Sequence, residues 1–412
     1  MWFYFMNAAV AQIFGFSPLV MHIFALIISS IFLVAFFYIL RRLANPVFAL
    51  LGTLLLLSQE VFIVQSSFML PEILIAMMTI AAIFSLFTGK TFLYFLYASI
   101  LVLTKETGIV IIGALAIPAF LIFIKQHIQG RSRSFLPLIK YFFLVCSPLL
   151  IGLAFYAYQK KIYGWYFYPL HIQYMNFDWP TVRQRMLLIR EFVFIGYGRR
   201  ILVVMLGFLL ILLLIYRRRS KPPLPEDLLN ITWALLTVFA FYFLFSAINF
   251  LMLRYLIPLI VIFIFLLSVW SYQLHQWGFR LLPYLFCIAV GISLYHDFTS
   301  DPSWIDDVSI NYKDDVVVHQ LAVDFMEDAH AQSQKIFTFY LMEYNFTHPE
   351  LFYLHGPSFK NVTSDTLVKD ADYYIFSNLV LVDSYLDYAK SNDSLLKRFE
   401  KGKAWCEIYT RK

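Results

Sequence analysis

The sequence predicts an integral membrane α-helical fold of about ten spans, followed by a small α/β domain that faces water. Two observations carry this expectation. The 412 residues are 61% hydrophobic and only 14% charged, with a mean hydropathy of +0.71; a soluble globular chain holds roughly 25% charged residues. The charges are also divided unevenly. Residues 1–296 carry 7 acids against 21 Lys and Arg, while 297–412 carry 19 acids against 11, so a segment of +14 is joined to one of −8. The expected domains are therefore a polytopic unit at 1–297 and a soluble acidic unit at 298–412.

The spans follow from runs of about 20 apolar residues, shorter where neighbours shield the ends. In order they are 18–40, 46–64, 71–88, 91–104, 106–124, 136–156, 201–216, 231–250, 254–271 and 281–297. Connections carrying Arg41-Arg42, Lys90, Lys125 with Arg131 and Arg133, Arg217-Arg218-Arg219 with Lys221, and Arg280 fall on one side of these spans. Short basic connections stay in the cytoplasm, which puts the N-terminus and the acidic tail outside. The long loop 157–200 is also outside despite seven basic residues, because long loops translocate regardless of charge. Its Tyr163, Trp165, Tyr166, Phe167, Tyr168 and Trp179 suit a surface at the membrane interface, able to receive an anionic headgroup.

In the tail, Val316-Val317-Val318, Lys335 to Phe339 and Tyr373 to Phe376 read as short strands, and Asp324 to Glu327 and Ser394 to Phe399 as helical turns. A glycine-rich phosphate loop is missing from it, so nucleotide binding has no support. No nucleic-acid partner is expected. Cys146, Cys287 and Cys406 are too widely spaced for a disulfide framework or a zinc pattern. Triplets beginning at Asn345, Asn361 and Asn392 match glycosylation acceptors, a short pattern that arises often by chance.

The seven acids of the membrane unit are informative because ionisable groups in apolar segments are costly and face a cavity or a partner. Glu226 and Asp227 fit a solvated cytoplasmic loop, whereas Glu60, Glu72, Glu106, Asp178 and Glu191 fall near the outer face. Glu72 follows Pro71 at the opening of a span, where a carboxylate also serves the helix N-terminus. Thr104-Lys105-Glu106-Thr107-Gly108 breaks two apolar runs, either as a plain turn or as a corner that sets an ammonium beside a lipid phosphate. Arg254, the only charge between Asp227 and Arg280, has the forked geometry that suits phosphate oxygens and needs an anion or a carboxylate such as Glu72. His171 is the one histidine of the outer loop. A divalent metal shared with Glu72 or Asp178 fits the residue types but not any ligand spacing, so no metal ligand is assigned and no cofactor is certain.

Four segments then resemble a membrane glycosyltransferase of the GT-C superfamily, in the protein-mannosyltransferase and aminoarabinose-transferase-like group (glycosyltransferase family 39-like). They are Phe14-Gly15-Phe16-Ser17-Pro18, Gln65-Ser66-Ser67 through Leu70-Pro71-Glu72, Leu103-Thr104-Lys105-Glu106-Thr107-Gly108, and Arg254-Tyr255-Leu256-Ile257-Pro258. The resemblance implies transfer of a sugar from a polyprenyl-phosphate carrier to a glycan, lipid or protein acceptor at the outer face of a bacterial inner membrane. It implies that Lys105 and Arg254 hold the lipid phosphate, helped by Arg199 and Arg200. Glu72, Glu106, Tyr168, His171 and Asp178 would line the sugar or acceptor side. The family's catalytic Asp sits in a loop after its first helix, and Met1 begins beyond that point, so the catalytic residue is unassigned. The alternative class is a non-catalytic membrane protein, a lipid-linked glycan transporter or a scaffold; a transporter should show internal repeats, and none is visible.

Overall fold

The computed structural model describes residues 2–126, 128, 136–167, 169–173, 175–196, 198–217, 225–299, 307–364, 369–378 and 383–411. The chain divides into two compact units, Met1–Ser300 and Asp301–Lys412.

The first unit is helical. A short helix α1 (Trp2–Phe14) ends at Gly15, whose φ of +84° is open to glycine and strained for other residues. Helix α2 (Pro18–Leu43) follows, with Ser17 accepting from Val20 N at its start and Pro18 in its first turn. Then come α3 (Pro46–Leu57), α4 (Glu60–Ser67), α5 (Glu72–Phe87), α6 (Thr91–Thr104), α7 (Thr107–Gln126), α8 (Leu136–Tyr163), α9 (Pro169–Gln173) and α10 (Trp179–Arg190). The unit closes with α11 (Arg200–Arg217), α12 (Glu226–Ile248), α13 (Ile257–Gln276) and α14 (Leu282–Thr299). Helix α13 is the axis of the bundle: from Ile257 to Val269 all its residues are buried, so the run is apolar on every face rather than striped.

Among the described residues five helices are long and apolar enough to cross a membrane, or seven if two bent pairs each count as one span. Helices α5, α6 and the 282–296 part of α14 are apolar but shorter. One expected span, 46–64, is in fact broken: α3 and α4 meet at 71°. The break has a polar cause. Ser58 Oγ donates to Leu55 O (2.8 Å) and Gln59 Nε2 to Leu55 O (3.1 Å) and Ser293 Oγ (3.0 Å), so side chains occupy the helix's last carbonyls. The loop 157–200 is also mostly helical. Helix α8 continues to Tyr163, and α10 extends through a π-helical turn (Glu191–Ile195) to meet α11 at 82°.

The second unit holds α15 (Tyr312–Asp328), β1 (Lys335–Phe337), α16 (Tyr340–Thr347), β2 (Asn361–Thr363), β3 (Tyr373–Ser377), α17 (Asp383–Asn392), β4 (Asp393–Lys401) and β5 (Ala404–Arg411). The sheet order is β2-β1-β3-β5-β4, parallel on the β2-β1-β3 side and antiparallel from β3 to β4. Alternate residues face opposite layers. Ile336, Ile375, Cys406 and Ile408 pack on α15 and α16; Phe337, Tyr374, Phe376 and Tyr409 pack on α17.

Two local expectations are corrected here. Val316-Val317-Val318 lies in α15, because Val318, Ala322, Val323 and Met326 repeat at helical spacing and cover the sheet. Ser394 to Phe399 is strand β4, an edge hydrogen-bonded to β5 through a tight turn at Gly402 (φ +56°), with Lys397 and Arg398 exposed on its two opposite faces. Helix α15 also buries Asp315 and His319, with Nε2 to Oδ2 at 3.5 Å, and His319 Nδ1 meets Asn345 Nδ2 at 3.2 Å. Buried in this way, Asn345 is no glycosylation acceptor in the folded unit.

Candidate functional site

The polar centre of the first unit is built where four helix ends converge. Helix α6 stops at Thr104 because Lys105 turns extended (φ −158°, ψ 155°), and α7 restarts two residues later at Thr107. The corner closes with Gly108 N donating to Lys105 O at 2.9 Å. A Cβ on Gly108 would run into the Leu101 carbonyl, so glycine is what lets α7 cross α6 at this point. On the neighbouring helix, Glu72 is the first residue of α5, with Pro71 at the N-cap. A 3-10 turn (Leu253–Leu256) brings in Arg254 and Tyr255 just before α13, which has Pro258 in its first turn.

Lys105 is the hub. Its Nζ is 3.1 Å from Glu72 Oε1 and 3.3 Å from the centre of the Tyr255 ring. The Arg254 guanidinium lies 5.4 Å from the same ring centre. Tyr255 is itself held in place, its carbonyl accepting from Tyr242 Oη at 2.8 Å. Glu72 is 2% exposed, and its second oxygen, Oε2, is buried and has no hydrogen-bond partner among the described residues. Breaking a buried pair of this kind by removing one member costs about 3–5 kcal/mol, and each cation–π contact contributes about 0.5–2 kcal/mol.

Beside this cluster is a cavity of about 190 Å³, lined by Lys105, Glu106, Tyr4, Tyr156, Gln159 and Trp165 among others. Gln159 donates to Tyr166 O at 3.0 Å, while its buried Oε1 has no partner among the described residues. Tyr4, on α1, is within electrostatic reach of the whole cluster. Glu72, Tyr255, Arg254 and Glu106 all act electrostatically on its hydroxyl, although the side chain is 58% exposed. An aromatic-walled cavity lined by one ammonium (Lys105), one carboxylate (Glu106) and one amide (Gln159) can take a polar ring next to an anionic group.

Lys105, Arg254, Glu72 and Glu106 are thus brought together. Other expected site residues are not in that group. Arg199 is completely buried, its Nε donating to Phe192 O (3.1 Å) and Nη1 to Gln59 Oε1 (3.4 Å), so it ties the α10–α11 junction to the break before α4. Arg200 is exposed at the start of α11 and lines a different cavity with His296. Asp178 caps α10, accepting from Thr181 N (3.4 Å) and Thr181 Oγ1 (3.2 Å). Tyr168 lies outside the described residues, and of His171 only the backbone, in α9, is described. Among the described residues the metal-ligand side chains that cluster within 4.8 Å are Asp324, Glu327 and His355 of the second unit. There Glu327 already accepts from His355 N and Gly356 N, which fastens the loop to α15.

Sequence reasoning named Tyr255 only as part of a motif and Trp165 only as part of the aromatic outer loop, and it missed Tyr4, Tyr156 and Gln159 as site residues. Aromatic residues are abundant along the whole chain, so nothing marked these. The one signal was the pairing of Tyr255 with Arg254, the sole charge of its region.

The long apolar helices define an integral membrane protein with a buried ionic cluster. The fold is shared with ArnT from Cupriavidus metallidurans. Its crystal structure in the apo state superposes with a TM-score of 0.55 at 13% identity, covering 99% of this chain and 87% of that one. The same protein bound to undecaprenyl phosphate gives 0.53 at 13% identity, over 98% and 87%. No family model and no curated protein matches the sequence.

Proposed function

We propose that the chain is a glycosyltransferase that moves a sugar from a polyprenyl-phosphate carrier to an acceptor at the outer face of the membrane. The observation that carries this reading is the meeting of Lys105, Arg254 and Glu72 around the Tyr255 ring, beside a cavity lined by Glu106 and Gln159. The undecaprenyl phosphate bound to the ArnT structure supports a lipid-linked phosphate as the ligand class. In this reading Lys105 and Arg254 hold the phosphate and stabilise the charge it gains as the anomeric C–O bond breaks. Glu72 balances Lys105 while the site is empty. Glu106, the carboxylate on the cavity wall, is the group a hydroxyl acceptor would meet, where a base removes the proton as the sugar is transferred. The short helices α5, α6 and α14 cross together with the longer ones in a count of about ten, in a bacterial inner membrane with the second unit outside.

The test is binding of undecaprenyl phosphate to the purified full-length chain. Lys105→Ala and Arg254→Ala should each weaken it at least tenfold, since a hydrogen bond to a charged group contributes about 1.5–3 kcal/mol. Unchanged binding in both variants, with the fold intact, would overturn the assignment.

A further inference from the structure

Gln159 stands near the end of α8, one turn before the helix stops at Tyr163. The chain then doubles back through Gly164, whose φ of +81° is open to glycine. Three contacts fasten the returning segment to α8. Gln159 Nε2 donates to Tyr166 O at 3.0 Å, the Lys160 ammonium lies 4.3 Å from the centre of the Tyr166 ring, and the Tyr156 and Phe167 rings meet at 5.0 Å. The turn thereby puts Trp165 and Phe167 beside Tyr156 and Gln159 on the wall of the cavity at Lys105.

The bond to Tyr166 also orients the amide. Exchanging its two ends would set the oxygen against the Tyr166 carbonyl, acceptor against acceptor, so Oε1 is the atom left over. Gln159 is 3% exposed, and Oε1 has no partner among the described residues. A buried acceptor left unpaired is costly, and a ligand that brings a donor to it removes the cost. The amide is neutral, so it suits a hydroxyl better than an ammonium, whose charge it does not balance. The cavity, about 190 Å³, is smaller than the roughly 300–1,000 Å³ of pockets for drug-sized ligands, and so holds one small ring rather than a chain of rings. Its aromatic walls suit the C–H face of such a ring.

We propose that Gln159 determines sugar specificity: its Oε1 accepts a hydrogen bond from one ring hydroxyl of a neutral monosaccharide carried on the lipid phosphate. The proposal rests on the reading that Lys105 holds that phosphate. Because Lys105 lines the same cavity, the ring bonded to the phosphate is the one that enters beside Gln159. A sugar without that hydroxyl leaves Oε1 unpaired and is rejected. Fluorine in its place has the same effect, since it cannot donate.

The experiment measures binding to the full-length chain in nanodiscs. The ligands are undecaprenyl phosphate and its glucosyl, mannosyl, galactosyl and arabinosyl derivatives, each also with one hydroxyl at a time replaced by fluorine. For the sugar that binds most tightly to the wild type, fluorine at one position should weaken binding about five- to thirtyfold, what pairing a buried acceptor supplies. Fluorine at the other positions should cost much less. In Gln159→Leu the parent sugar lipid should bind as weakly as that one analogue, and fluorine at that position should cost nothing more. Undecaprenyl phosphate, which has no ring, should lose far less. A Gln159 that only fastens Tyr166 would lower the affinity of every sugar lipid by one common factor and keep the wild-type pattern of fluorine effects, which would overturn the proposal. No sugar lipid binding more tightly than undecaprenyl phosphate would overturn it too, while leaving the phosphate assignment standing. Failure of the wild type to bind undecaprenyl phosphate would overturn both. Should Gln159→Leu fail to fold, Gln159→Met, which keeps the length of the side chain, takes its place.

Discussion

Lys105 illustrates how one side chain can be needed for the fold and for ligand chemistry together. Its ammonium leaves water only because Glu72 and the Tyr255 ring replace the lost hydration. An anion arriving at that point finds a cation already in place and does not bear the cost of ordering it. In the second unit the buried Asp315 and His319 pair works differently. Burial pushes the Asp315 carboxyl from 3.8 up to about 7 and pulls the His319 imidazole from 6.5 down to about 4. The folded unit therefore keeps a proton on Asp315 that the unfolded chain releases, and stability falls as pH rises from 3.8 to 7. It withholds a proton from His319 that the unfolded chain takes up, and stability falls as pH drops from 6.5 to 4. The two slopes oppose each other, so the wild type should be nearly flat across that overlap. Asp315→Asn should expose the His319 slope, with stability rising toward neutral pH. His319→Asn should expose the opposite slope. In full the Asp315 slope is on the order of 4 kcal/mol and the His319 slope on the order of 3 kcal/mol, read from hydrogen exchange of the β3 amides in the intact protein after correction for intrinsic rates.

At the level of elements, the corner between α6 and α7 sets where Lys105 stands. Gly108 touches no ligand group, yet it allows the two helices to cross at the Leu101 carbonyl. Gly108→Ala should cost about 1–3 kcal/mol through overpacking and should also weaken undecaprenyl phosphate binding, because the corner must move. A thermal melt and a binding isotherm on the same preparation check both effects; a lower melting temperature with unchanged affinity would separate the crossing from the site. The elements that sequence pattern misjudged share a cause. The valines of α15 carry a strand preference worth at most about 1 kcal/mol, and burial of Val318, Ala322 and Met326 on the sheet outweighs it. Apolar continuity likewise hid the break between α3 and α4, since Gln59 meets Ser293 and Arg199 only after the chain has folded.

Across the whole molecule, the two units have opposite net charge. The proposed topology sets the acidic unit outside and the basic connections inside. A single cysteine at Lys401, in a background with Cys146, Cys287 and Cys406 replaced by serine, should react with a membrane-impermeant maleimide in intact cells. A cysteine at Lys125 should react only after the membrane is opened. The reverse pattern would invert the topology and move the Lys105 site to the cytoplasmic face.

The sequence by itself determined that this is a membrane protein with an appended acidic unit, because hydropathy and charge are sums over local composition and need no partner. It also determined Lys105, Glu72, Glu106 and Arg254 as residues of interest, because charges are few in so apolar a chain and each stands out. What only the tertiary structure decided is which of those charges meet. Arg199 and Asp178 are as conspicuous in sequence as Arg254, yet one is buried against Gln59 and Phe192 and the other caps α10. The aromatic walls of the site and the place of Gln159 among them were equally invisible. Each depends on side chains brought together from distant helices, and such contacts are fixed by packing geometry, which no single stretch of sequence contains.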